Sequence, residues 1–232
     1  MSKQQGLNLA IRSLIMVLGL ALLATGILAS VKANLGTSAW TVFHLGIAQR
    51  IGWTQGQVSQ AVGLIIILLS FFLGIKPAIA TLCNMFLVGR FYDLFNAADL
   101  LPEPGGVPGR VLLLVASVYI TAVGTSMYIS VNLGAGPRDG LMLALTRRSG
   151  WNIGLVRNSI EIIVLAAGVL LGGPFGLGTL CYALAIGPAL ELNLHLLRRV
   201  TAKFHLEHIF TVPESKRRKQ SAMTKTGDAL FI

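Results

Sequence analysis

The sequence predicts an all-α membrane protein with six transmembrane helices in two inverted three-helix repeats. Each repeat carries an additional short interfacial or re-entrant helix. Three observations lead there. Hydrophobic residues make up 54% of the 232 residues, charged residues only 12%, and mean hydropathy is +0.72. A soluble globular domain carries about 25% charge. The apolar residues fall into blocks of about 20, enough to cross a ~30 Å hydrocarbon core as helices. The chain also repeats itself with a period of 98 residues. Together these exclude a soluble enzyme, a disordered chain and a disulfide-stapled secreted domain.

The repeat is the most informative of the three. A shift of 98 positions aligns 12–94 with 110–192 without a gap, and 22 of the 83 pairs (27%) are identical. They include Asn34-Leu35-Gly36 with Asn132-Leu133-Gly134, Gly52-Trp53 with Gly150-Trp151, and Thr81-Leu82-Cys83 with Thr179-Leu180-Cys181. Chance likeness between apolar segments would pair Leu with Leu; it would not keep Trp, Asn and a Thr-Leu-Cys triplet in one register. The chain thus divides into a first repeat (1–103), a second repeat (104–199) and a basic tail (200–232).

In chain order, the first repeat offers spans at 11–31, 54–73 and 77–95, the second at 110–130, 152–171 and 176–197. The first span, preceded by Lys3 and Arg12, imitates a signal peptide, but its recurrence at 110–130 argues against removal. Three spans are an odd number, so the second repeat enters the membrane from the opposite side, as in many secondary transporters. Both termini then lie in the cytoplasm. Positive charge agrees: eight of the 19 Lys and Arg lie at or after Arg198, and Arg138, Arg147 and Arg148 share a cytoplasmic loop. The tail suits anionic lipid headgroups better than nucleic acid, because Lys216-Arg217-Arg218-Lys219 is short and follows a span.

Between spans lie 34–50 and 132–149. Asn34-Leu35-Gly36 and Asn132-Leu133-Gly134 break the preceding helices. Thr37 or Ser38 can cap one new helix, and Pro137 suits the first turn of the other. At about a dozen residues these helices are too short to span. If re-entrant, their N-termini point into the protein, where free N–H groups attract anions. Trp53 and Trp151 read as interfacial anchors and His44 as an interfacial side chain.

The strings Leu133-Gly134-Ala135-Gly136-Pro137-Arg138-Asp139-Gly140, Gly172-Gly173-Pro174 and Ile186-Gly187-Pro188 resemble the YczE/YitT-like family of bacterial integral membrane proteins, over about 10–198. That resemblance implies a bacterial inner membrane and a six-span-like core. It supplies no substrate, because the family has no assigned biochemical activity. The first half departs from the signature, with Trp40-Thr41 where Arg138-Asp139 stands.

Charges present in one repeat only need their own reason. Arg138 and Asp139 replace Trp40 and Thr41; Arg157 and Glu161 replace Ser59 and Gly63. Arg157 and Glu161, at i and i+4, share a helix face with Asn158 beside them and can pair. Intramembrane charge costs roughly 2.5–3.5 kcal/mol on insertion scales, so it normally faces the bundle interior with a partner. The plain reading is a structural Arg157–Glu161 pair. The functional one has Arg138 and Arg157 hold an anionic group, with Glu161 as proton-coupling acid or counter-charge. Asp93 and Glu191 are equivalent acids near span ends and read first as solvated. Glu191 is the better candidate because Pro188 should perturb its helix.

The candidate solute-binding set is therefore Arg138, Asp139, Arg157, Asn158, Glu161 and Glu191. No catalytic set, metal-ligand spacing, CxxC or cofactor fingerprint appears, so no enzyme activity, metal or cofactor is expected. The expected function is secondary transport or export of a small anionic or zwitterionic solute. The alternative is a non-transporting scaffold or regulator that contacts another complex through its tail. Self-association stays open.

Overall fold

The computed structural model describes residues 3–134, 136–204 and 209–210. Among the described residues all regular structure is helical: α1 (Lys3–Lys32), α2 (Ala39–Ile51), α3 (Gln55–Phe72), α4 (Ile79–Ala97), α5 (Gly106–Ser130), α6 (Pro137–Ser149), α7 (Ile153–Leu170) and α8 (Leu177–Lys203). Nearly all of the tail, 205–232, lies outside the described residues.

Five of these helices, α1, α3, α5, α7 and α8, are long and apolar enough to cross a membrane. The sequence reading expected six. The sixth, α4, is 19 residues long, but Asn84, Arg90, Asp93 and Asn96 dilute its apolarity. The helix forms where expected, and its polar side chains keep it out of the apolar class. Pro188 sits inside α8 without ending it.

The centre of the molecule is the α1–α5 seam. A Cβ on Gly19 would lie 2.9 Å from the Gly124 carbonyl oxygen, and one on Gly26 would meet Ser117 and Thr121. Contact indices rise on α1 as they fall on α5, so the helices run antiparallel. Missing side chains let the backbones approach closely, the usual basis of helix association in lipid. Leu20, Ala24 and Leu28 are sealed on the same seam.

Backbone geometry recurs at the 98-residue period. Asn34 and Asn132 both have φ 51°, in the left-handed region, and Gly36 and Gly134 follow at φ 105° and 134°. A side chain at either glycine would be strained, and it would also strike the helix hairpin of the other half of the chain: Gly36 abuts Thr179, Gly134 abuts Ala78. The turns close on α8 and α4 by matching bonds: Gly178 N–H donates to Leu35 O (2.8 Å) and Ala80 N–H to Leu133 O (3.4 Å).

The two short helices are built as their sequences propose. Ser38 caps α2 by accepting from the Thr41 N–H, while Thr37 pairs with Ser30 instead. Pro137 opens α6. α2 lies against α7, where a Cβ on Gly168 would sit 2.6 Å from the Phe43 nitrogen. Val42 is buried there, and α2 also buries His44 and Ala48. His44 is 2% exposed, so it is a core side chain and not an interfacial one. Trp53 and Trp151, by contrast, are exposed.

Candidate functional site

A cavity of about 510 Å³ occupies the middle of the bundle, within the range of small-molecule sites. The first turns of both short helices line it: Ser38, Ala39 and Trp40 from α2, Gly136 to Asp139 from α6. Gly136 provides no side-chain cap for α6, so part of that helix's positive end faces the cavity. Asp139, at the third position of the helix, instead accepts the Gly136 backbone N–H and fixes the turn from within.

Arg138 and Trp40 are equivalent positions of the repeat, and they touch. The Arg138 guanidinium carbon lies 4.6 Å from the Trp40 ring centre, within cation–π range. The Trp40 indole N–H donates to Glu161 Oε1 at 3.2 Å. One aromatic ring therefore holds the cation on its face and the anion at its edge. Arg138 is enclosed by protein yet accessible, because the space it faces is the cavity. Glu161 is half-buried, and Arg157 and Asn158 are exposed into the same space.

Five of the six sequence candidates, Arg138, Asp139, Arg157, Asn158 and Glu161, thus line one cavity. The sixth, Glu191, is exposed on α8 and does not line it, although Leu190 does. The direct Arg157–Glu161 pair does not form; among the described residues the one ion pair is Lys32 with Asp99, at 3.1 Å. Trp40 has taken the place of Arg157 as the partner of Glu161. Asp93 is no merely solvated acid: it accepts from the Thr54 hydroxyl and, at 3.0 Å, from the Gly56 N–H.

The sequence reading missed Trp40, Tyr128, Tyr182 and His44, all on the cavity wall. Trp40 had a signal, since it occupies the repeat position of Arg138. The tyrosines and His44 had none, being isolated in apolar stretches. The His44 Nε2 is buried and makes no hydrogen bond among the described residues.

Among the described residues no group of three or more His, Cys, Asp and Glu could hold a metal ion, and Cys83 and Cys181 are free thiols. What the wall can do is hold a small molecule. It has two cations, two carboxylates, aromatic faces and a larger apolar share.

Residues 10–194 match a family described as of unknown function, DUF6198. The chain is 38% identical over 178 residues to the uncharacterized membrane protein YczE of Bacillus subtilis (strain 168), covering 76% of this chain and 82% of that one. It is 34% identical over 190 residues to an uncharacterized protein of Haemophilus influenzae, covering 80% and 84%. A second B. subtilis protein, YyaS, is 23% identical over 188 residues, covering 78% and 92%. No solved structure matches the chain.

Proposed function

The chain belongs to the DUF6198 family, with the membrane protein YczE among its relatives, and from that premise we propose that it is a secondary transporter or exporter. Its solute is small and anionic or zwitterionic, and the balance of the site favours a zwitterion. The observation that carries this reading is the single cavity that gathers Arg138, Arg157, Asp139 and Glu161. Two positive and two negative groups sum to no net charge. A solute with both an anionic and a cationic group can answer each side, whereas a bare anion leaves the carboxylates facing it unpaired.

The architecture behind the proposal counts α4 as a span, giving six spans in two inverted repeats with both termini in the cytoplasm of a bacterial inner membrane. Three features support it. α1 and α5 run antiparallel, equivalent turns share their dihedral signs, and positions 40 and 138 meet, as residues near a two-fold axis must. α2 and α6 are then re-entrant half-helices whose N-termini reach the site. Alternating access rocks the repeats around Arg138, Arg157 and Glu161, with Glu161 as counter-charge and coupling acid.

The eight basic residues from Arg198 onward support a second reading, a scaffold that acts through its tail on anionic lipid or a protein partner. Proteoliposome uptake of a labelled pool of small zwitterionic metabolites separates the two. A transporter lacking 205–232 keeps its uptake, and Glu161→Gln loses it while remaining folded. Protein-free background with the full chain would leave the scaffold standing. Normal coupled uptake by Glu161→Gln would remove that residue from the mechanism.

A further inference from the structure

The two helix hairpins of the repeat are built alike but stand differently. α3 and α4 are joined by six residues, as are α7 and α8. In the first hairpin the helices pack along their length; in the second they do not pack against each other. The first is held by a defined set of contacts. Thr54 donates to Asp93, the Gly56 N–H donates to the same carboxylate at 3.0 Å, and the Gln60 amide donates to Phe86 O at 2.9 Å. Gly56 and Gly89 face each other so closely that a Cβ on Gly89 would lie 2.6 Å from the Gly56 carbonyl oxygen.

Each polar or glycine member of that set has its counterpart 98 residues on: Asn152 for Thr54, Gly154 for Gly56, Asn158 for Gln60, Gly187 for Gly89 and Glu191 for Asp93. None of the corresponding contacts is made. Asn152 turns back to cap its own helix, accepting from the Gly154 N–H at 2.8 Å. A Cβ on Gly187 would meet nothing within 4 Å, and Glu191 is exposed. A helix-interior glycine forgoes helix stability relative to alanine, and at Gly187 the open arrangement gives no packing reason for one. The gap between α7 and α8 leads to the charged site, since Arg157, Asn158 and Glu161 on one side and Leu180, Ala183 and Ile186 on the other line the cavity.

We infer that α7–α8 is the open gate of the solute cavity and α3–α4 its closed one. In the alternate state α7 closes on α8 through Gly154 and Gly187, with Glu191 receiving the Asn152 side chain and the α7 first-turn N–H groups, while α3–α4 parts. This assigns Glu191 and Asp93 to the two latches and removes Glu191 from solute contact. The inference rests on the transporter reading above, whose two repeats exchange roles. The hinge of the moving hairpin is Leu171–Gly176, whose Gly173 is pinned against Val42.

Cross-linking tests it in membranes, on the full chain with Cys83→Ser and Cys181→Ser. The pairs T54C/D93C and Q60C/F86C report the first hairpin; N152C/E191C and N158C/L184C report the second. Each is treated with oxidant or a short bismaleimide and read by mass spectrometry. An alternate state populated at only roughly 0.1–10% still accumulates as trapped product. The expected result is linkage of second-hairpin pairs above their single-cysteine controls. In a chain carrying one pair from each hairpin, either link forms but never both. Second-hairpin pairs that stay at control level while a first-hairpin pair links would overturn the gate, as would both links in one molecule. Linkage requires no solute, so a working gate with no transported anion or zwitterion would sink the transporter reading alone.

Discussion

The two halves related by the 98-residue shift share turns of like backbone geometry and differ in charge. At four equivalent places the first repeat has Trp40, Thr41, Ser59 and Gly63 and the second Arg138, Asp139, Arg157 and Glu161. All but Thr41 of these eight residues line the same cavity. The duplicated features, such as the turns at Asn34 and Asn132, serve the fold. The unduplicated ones assemble into an Arg138–Trp40–Glu161 unit whose aromatic member comes from the other repeat. A duplicated chain can thus concentrate charge in one copy and keep the other as the apolar and aromatic wall it faces.

Breaking the comparison at the hairpins should give the largest effect. Gly89→Leu forces a side chain into the Gly56 backbone and should cost about 1–3 kcal/mol or more, whereas Gly187→Leu, in open space, should stay within about 0.5 kcal/mol. Melting temperatures in one detergent check this, and equal shifts would contradict the difference between hairpins. Next comes Arg138→Ala. Losing the cation–π contact of a group enclosed by protein but open to the cavity should cost about 1–2 kcal/mol, between the exposed and desolvated figures. Trp40→Phe keeps the ring but removes the bond to Glu161, so it should cost about 1.5 kcal/mol, the low end for a hydrogen bond to a charged group. In a double-mutant cycle, Trp40→Phe and Glu161→Ala, each of which removes the bond, should be non-additive; strict additivity would deny the contact. Glu161→Gln alone should be mildest, within about 0.5 kcal/mol, because the amide oxygen still accepts the indole N–H.

The sequence made the long helices legible because each was written as an apolar block, and the two short ones because a left-handed turn at Asn34 or Asn132 precedes each. Four site charges were legible because the repeat supplied an internal reference: Gly63 against Glu161 reads as an anomaly without any other chain. Two things were not legible. The polar side chains of α4 were averaged into an apolar block, which concealed that it differs from the other five long helices. The partner of Glu161 was assigned by helix spacing to Arg157, four residues away, but is Trp40, 121 positions away. Spacing on one helix reports which groups share a face; it carries no information about which side chain a second helix brings to that face. His44 shows the same limit. It reads as interfacial from the sequence, but the fold places it, buried, on the wall of the cavity.

The central claim, that the charges of the second repeat make the cavity a solute site, is tested most directly by ligand-induced stabilisation of the purified protein. Small zwitterions, anions and cations are compared on the unaltered chain, Arg138→Ala and Arg157→Ala. A ligand at about 100 times its Kd adds roughly 2.7 kcal/mol. The account predicts that a zwitterion raises the melting temperature, that matched single-charge compounds do so less, and that both arginine variants lose the shift. A stabilising zwitterion whose effect survives in both variants, or stabilisation by cations alone, would contradict it.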